Sequence, residues 1–78
     1  MNVRQLVHES IAVVLPDVPP AEMTDETSLR ALGADSIERV EIISLLREQL
    51  GIRPPLAAFD KIATLGELID FLSSQAPG

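Results

Sequence analysis

Asp35 followed directly by Ser36 is the pair in this chain best placed to do chemistry. Asp35 and Glu38 stand three apart, the spacing of a capping box, so a helix is expected to begin at Ser36. The start of a helix offers free backbone N–H donors and the positive end of its dipole, and a phosphate esterified to the Ser36 hydroxyl would lie in that favourable field. Gly33 and Ala34, just upstream, are small and leave room for another protein to approach the hydroxyl. On position alone a plainer role is open to Ser36, that of a serine helping to begin a helix. Asp35 reads as the cap and orienting residue rather than as a base.

The other reactive residue types give no comparable constellation. The chain has no cysteine, so it has no disulfide, no thiolate metal ligand and no thiol of its own for thioester chemistry; any thiol must come from a cofactor. His8 is the single histidine and reads as a surface residue of a first helix. Glu22, Asp25 and Glu26 lie on a loop without the spacing of a calcium loop, so they are expected to be solvated and no metal site is assigned. A hydrolase built from Ser36, His8 and Asp35 would lack the Gly-x-Ser-x-Gly elbow, and the chain is not expected to be an enzyme.

The elements that must position Ser36 follow from pattern. At 78 residues the chain is expected to form one domain, residues 1–78. Hydrophobic residues make up 46% against 3% aromatic, which suits aliphatic side chains packed between helices better than an aromatic-rich sandwich. The net charge of −6 opposes nucleic acid and anionic membrane surfaces and favours basic protein partners. The longest apolar run, Ile11 to Leu15, is far too short to cross a bilayer, and no basic leader precedes it, so a cytoplasmic monomer is expected. Val3, Leu6, Val7, Ile11 and Val14 predict a first helix from Val3 to Leu15, with Asn2 and Gln5 as a capping box and Pro16 as its stop. Pro16 to Asp35 reads as a long connection, with a turn near Leu29 and anchors at Met23, Leu29 and Leu32. The second helix is predicted from Ser36 to Leu50, stopped by Gly51. After Pro54 and Pro55, Leu56 to Ile62 allows only a short helix or irregular segment. Thr64 and Glu67 cap a last helix that ends near Ser74. The expected fold is all-α: a small four-helix bundle of three main helices and one short one, with a long first loop.

Leu32-Gly33-Ala34-Asp35-Ser36-Ile37, followed by Val40-Glu41, resembles the attachment motif of acyl carrier proteins. The resemblance extends over nearly the whole chain: a leading helix, a long loop ending in Thr27-x-Leu29-x-x-Leu32, the motif helix, and a closing helix introduced by Thr64. It implies that a phosphopantetheinyl transferase moves a 4'-phosphopantetheine arm from coenzyme A to Ser36, with Asp35 helping to position the serine. The arm's terminal thiol then carries acyl groups as thioesters to partner acyltransferases, ketosynthases and tailoring enzymes. Met1 and the length of the chain lead us to expect a freestanding carrier. The stretch Asp35-Ser36-Ile37-x-Arg39-Val40-Glu41-Ile42 looks more like carriers of polyketide and polyunsaturated fatty acid synthases than the strongly acidic carriers of ordinary fatty acid synthesis. A fatty acid carrier, and a peptidyl or aminoacyl carrier, stay open as alternatives, as does an unmodified helical adaptor that needs no Ser36 hydroxyl. Arg53-Pro54-Pro55-Leu56-Ala57-Ala58 departs from the more acidic stretch common in the family at that point.

A helical wheel for residues 36–50 places Val40, Ile42, Ile43, Leu46 and Leu50 on one broad face, expected to line the core. Ile37 falls among Glu41, Ser44 and Glu48 on the opposite side, an apolar contact point beside the attachment serine. Ile37, Glu38, Arg39, Glu41 and Glu48 are the candidate partner surface, with the acids able to steer basic enzyme surfaces toward the arm. Arg39 is expected to lay its stem along apolar surface, and its charge is available to a phosphate. Val40, Ile43 and Leu46, with Leu68 and Ile69 opposite, are the candidates to part around an apolar cargo, as the resemblance implies.

Overall fold

A computed structural model describes residues 2–75. Those residues form three α-helices, α1 (Val3–Val14), α2 (Ser36–Leu50) and α3 (Leu65–Gln75), with short 3-10 turns at Pro20–Glu22 and Leu56–Phe59 and no strand. The predicted short helix is thus a single four-residue turn, and the turn at Pro20–Glu22 is an addition. Proline explains the latter, because the ring presets φ for a tight turn while denying the amide that a longer helix needs.

Each helix starts on a side-chain cap. Asn2 accepts from the Gln5 amide at 3.0 Å, although Gln5 turns its own side chain to Glu9 rather than back to Asn2, so only half of that predicted box forms. Thr64 Oγ1 accepts from the Glu67 amide at 3.2 Å, and Glu67 reaches back one residue further than expected, to the Ala63 amide at 3.3 Å. α1 ends one residue short of Leu15, whose amide still bonds to the Ile11 carbonyl at 2.7 Å before Pro16 stops the ladder. Gly51 closes α2 in the left-handed conformation (φ 65°), and the Ile52 amide bonds back to the Arg47 carbonyl at 3.2 Å.

The helices stay together by burying aliphatic side chains from all three. Val7 and Ile11 of α1 meet Ile42 and Leu46 of α2 and Leu65 and Leu72 of α3, each at most 1% exposed. A fully buried side chain of this size contributes roughly 1.5–3 kcal/mol from loss of contact with water. Phe59 and Phe71 pack edge to face with centroids 5.1 Å apart, tying the second 3-10 turn to α3. α1 packs against both other helices, whereas α2 and α3 approach each other less closely.

Val40 departs from the sequence reading. It was expected in the core, but its side chain is 46% exposed, while Ile42, Leu46 and Leu50 are buried and Ile43 is half-buried. At about 100° per residue Val40 lies roughly 120° from Leu46, too far round the helix to share its buried face. It looks instead into the gap between α2 and α3.

The long connection is ordered by named contacts. Met23 is buried, and Leu29 and Leu32 pack against the core, as expected of its anchors. Its backbone is stitched to the start of α3: the Leu65 amide donates to the Thr27 carbonyl at 2.8 Å and the Gly66 amide to the Asp25 carbonyl at 2.9 Å. A Cβ on Gly66 would come within 3.2 Å of Asp25, so the loop's approach depends on the missing side chain. On the other side, both carboxylate oxygens of Asp25 accept from the Arg4 guanidinium of α1, one of them at 3.1 Å. Asp25 is therefore an ion-pair partner, and Glu22 and Glu26 stay in solvent.

The Arg4 hydrogen bond and charge hold the Asp25 carboxyl below the ordinary aspartate range, against a smaller opposing effect of desolvation. A carboxylate with a lowered folded-state pKa adds stability above its unfolded pKa and loses it as pH falls through the folded value. Thermal melts of wild type and Arg4→Gln are accordingly expected to differ near neutral pH and to converge on acidification. The difference should be small, since both groups are solvent-exposed and salt-screened. A gap that widens toward acid would contradict the assigned sign.

Candidate functional site

The site begins with the turn that delivers Ser36. Ser28 Oγ accepts from the Ala31 amide at 3.0 Å, and the Leu32, Gly33 and Ala34 amides bond back to the carbonyls of Ser28, Arg30 and Leu29 at 3.0–3.1 Å. Gly33 takes φ 99°, a region that residues with a Cβ rarely adopt, and the space beside it is open. Ala34 behaves differently from the simple expectation of free room: it is only 5% exposed and pins the turn to the core. With one residue open and the next anchored, the chain enters α2 at a fixed angle.

Asp35 and Glu38 form the complete capping box. Asp35 Oδ1 accepts from the Glu38 amide at 2.7 Å, and Glu38 Oε1 accepts from the Asp35 amide at 3.1 Å. Ser36 is thereby relieved of capping. Its side chain is exposed at the first position of α2, where unpaired amides and the helix dipole favour an attached anion. Among the described residues its one side-chain partner is Arg39, whose Nη2 donates to Ser36 Oγ at 3.3 Å while Nε reaches the Asp35 carbonyl at 3.4 Å.

A cleft of about 490 Å³ opens at Ser36 and runs between α2 and α3. Ser36, Arg39, Val40 and Ile43 form its α2 wall, Leu65 and Leu68 its α3 wall, and Leu56 and Phe59 of the second 3-10 turn its floor. Arg30 and Asp60 add charge at the boundary. Of the side chains named from sequence as a cargo shelter, Val40, Ile43 and Leu68 face this cleft. Leu46 and Ile69 do not line it and belong to the sealed core.

The predicted partner surface divides in the same way. Ile37 is 71% exposed next to Ser36, with exposed Glu41 one turn on, while Glu48, also exposed, lies about three turns further along the same helix. Glu38 is half-buried and engaged in the capping box, and Arg39 turns to Ser36, so neither projects freely with the others. Arg30, Leu56 and Leu65 were not read from sequence as part of any site. They reach it only because three separate segments converge on one gap.

The geometry suits a phosphate-linked, largely apolar chain. An exposed hydroxyl stands at a helix N-terminus, a guanidinium is already seated on that hydroxyl, and an aliphatic cleft leads away from it. Two comparisons agree with that fit. Residues 5–72 match the family described as phosphopantetheine attachment site. The chain is also 35% identical over 63 residues to the polyketide biosynthesis acyl-carrier-protein AcpK of Bacillus subtilis (strain 168), an alignment covering 81% of this chain and 77% of that protein.

Proposed function

The chain belongs to the phosphopantetheine-attachment family of carrier proteins, and on that premise we propose that it carries its arm on Ser36 and serves polyketide biosynthesis. As a carrier of covalent 4'-phosphopantetheine it tethers acyl groups and presents them to biosynthetic enzymes; the arm, when attached, supplies the thiol that the cysteine-free chain lacks.

The observation that carries the assignment to Ser36 is its combination of exposure and freedom from duty. It stands at the first position of α2, with the helix cap already complete in Asp35 and Glu38. Esterifying it therefore removes no contact that the fold needs. Asp35 orients Ser36 through the backbone it caps, and the helix N-terminus lowers the cost of bringing a negative phosphate there. The polyketide direction is supported by the relative's name and by the resemblance of Asp35-Ser36-Ile37-x-Arg39-Val40-Glu41-Ile42 to polyketide carriers.

The partners of this reading are a phosphopantetheinyl transferase, then acyltransferase, ketosynthase and tailoring enzymes that dock along the exposed face of α2. Ile37 supplies the apolar contact there, and Glu41 and Glu48 attract basic surfaces. The cleft beside Ser36 is the proposed shelter for apolar cargo, walled by Val40, Ile43 and Leu68. The catalysis belongs to the partners.

The direct test is incubation with coenzyme A and a promiscuous phosphopantetheinyl transferase, read by intact mass and peptide mapping. A single phosphopantetheine addition is expected on the peptide containing Ser36. No addition under conditions that load a control carrier would overturn the assignment.

A further inference from the structure

The geometry points to Arg39 as the positioning residue of the arm: its guanidinium binds the phosphodiester formed on Ser36 and holds the root of the arm over the cleft between α2 and α3. The inference rests on Ser36 as the attachment point.

The guanidinium is fixed at two places in the unmodified chain. Nη2 donates to Ser36 Oγ at 3.3 Å and Nε lies 3.4 Å from the Asp35 carbonyl oxygen. Esterification turns Ser36 Oγ into a bridging oxygen, and the two charged non-bridging oxygens then sit on the phosphorus bonded to it, two bonds from Oγ. A donor already seated on Oγ is within reach of them after a small rotation. Arginine suits the task because its planar fork carries five N–H donors, enough to keep the Asp35 carbonyl and serve a phosphate together. A hydrogen bond between two charged groups is also shorter and roughly twice as strong as a neutral one.

The surrounding charge leaves the phosphate little alternative. The chain as a whole carries −6, and the other charged residues of the first two turns of α2 are Glu38 and Glu41. The next cation along the helix is Arg47. Glu41 lies on the exposed side with Ile37, so a phosphate drifting that way meets like charge. On the Arg39 side it meets the guanidinium, while Arg30 and the opposing charge of Asp60 both border the same cleft further out.

Direction follows from the wall of the cleft. Arg39 lines it together with Ser36, Val40 and Ile43. A phosphate drawn to Arg39 therefore sends the rest of the arm toward the aliphatic gap rather than out past Ile37. A partner whose own acidic group takes Arg39 frees the arm to swing outward. The arginine in this way sets the balance between a sheltered and a presented cargo.

The test uses four proteins loaded by the same transferase: wild type, Arg39→Gln, Arg39→Lys and Arg53→Gln, the last removing one exposed positive charge away from the cleft. Intact mass first establishes loading, and the 31P resonance of each folded holo protein is then compared with that of the same protein unfolded in urea. Wild type and Arg53→Gln are expected to show a folded-state displacement of the signal that shrinks with added salt. Arg39→Gln should lose the displacement, and Arg39→Lys should retain part of it. The Arg39 Nε–H resonance should also move between the apo and holo forms of wild type. If loading is complete but wild type and Arg39→Gln give the same 31P position, Arg39 does not hold the phosphate and the proposal is overturned. If the wild type gains no mass, the attachment reading fails and the clamp falls with it, a result seen before any phosphorus spectrum is recorded.

Discussion

The Ser36→Ala chain is expected to take up no phosphopantetheine at all while melting within a few degrees of wild type. Both halves of that result come from the division of labour at the start of α2. The cap is Asp35, whose carboxylate accepts from the Glu38 amide at 2.7 Å, and Glu38 returns the bond to the Asp35 amide. Ser36 Oγ contributes only an exposed contact with Arg39 at 3.3 Å. Alanine is a better helix former than serine, so the exchange should change stability by no more than about 0.5 kcal/mol. Asp35→Ala is the informative contrast, since loss of an N-cap costs typically about 1 kcal/mol, equivalent to roughly 4–8 °C in Tm for a domain of this size. Intact mass after treatment with transferase and a circular-dichroism melt separate the two. Residual addition to Ser36→Ala would move the attachment point to another hydroxyl.

A second large effect is expected in the core rather than at the site. Leu46 is fully buried in the middle of α2, among side chains from all three helices. Truncating such a leucine to alanine costs about 2–5 kcal/mol, combining lost transfer energy with the cavity left behind. A chain of this length has only about 4–12 kcal/mol of total stability at ordinary values per residue. Leu46→Ala should therefore lower Tm by more than about 10 °C. Val40→Ala, six residues away on the same helix, should lower it by less than about 5 °C, because Val40 is already 46% exposed to the cleft. Thermal melts of the two variants decide the point. Equal losses would return Val40 to the core that the helical wheel assigned it.

The contrast between these two residues marks where sequence alone stops being informative. Helix α2 was legible to the residue, from Ser36 to Leu50, because a capping box and a left-handed glycine are local signals that act on the nearest turn. Periodicity likewise located Leu46 and Leu68. It overreached at Val40, since α2 carries apolar residues on three of its sides: Ile37 to solvent, Val40 to the cleft, and Ile42 and Leu46 to the core. A wheel cannot separate a core from a cleft when both are apolar. The cleft itself was illegible for a plainer reason. Arg30, Leu56 and Leu65 lie far apart in sequence and share one gap only through the packing of α1 against both other helices. The half-formed box at Asn2 shows the same limit on a smaller scale, where Gln5 found Glu9 one turn on rather than the amide behind it.

The seam between the long loop and α3 has a kinetic consequence. Amides in the first turn of a helix have no intrahelical acceptor and usually trade their protons with water at nearly the rate of an open chain. Those of Leu65 and Gly66 are instead sealed by the Thr27 and Asp25 carbonyls. Their exchange must wait until the loop lifts, which makes two neighbouring protons a built-in clock for that opening. The same loop continues into the turn from Ser28 to Ala34 that aims Ser36. The clock at the head of α3 thus times how often the loop that leads into the turn before Ser36 comes away from the helix, at a position remote from Ser36 in the chain and with no label added.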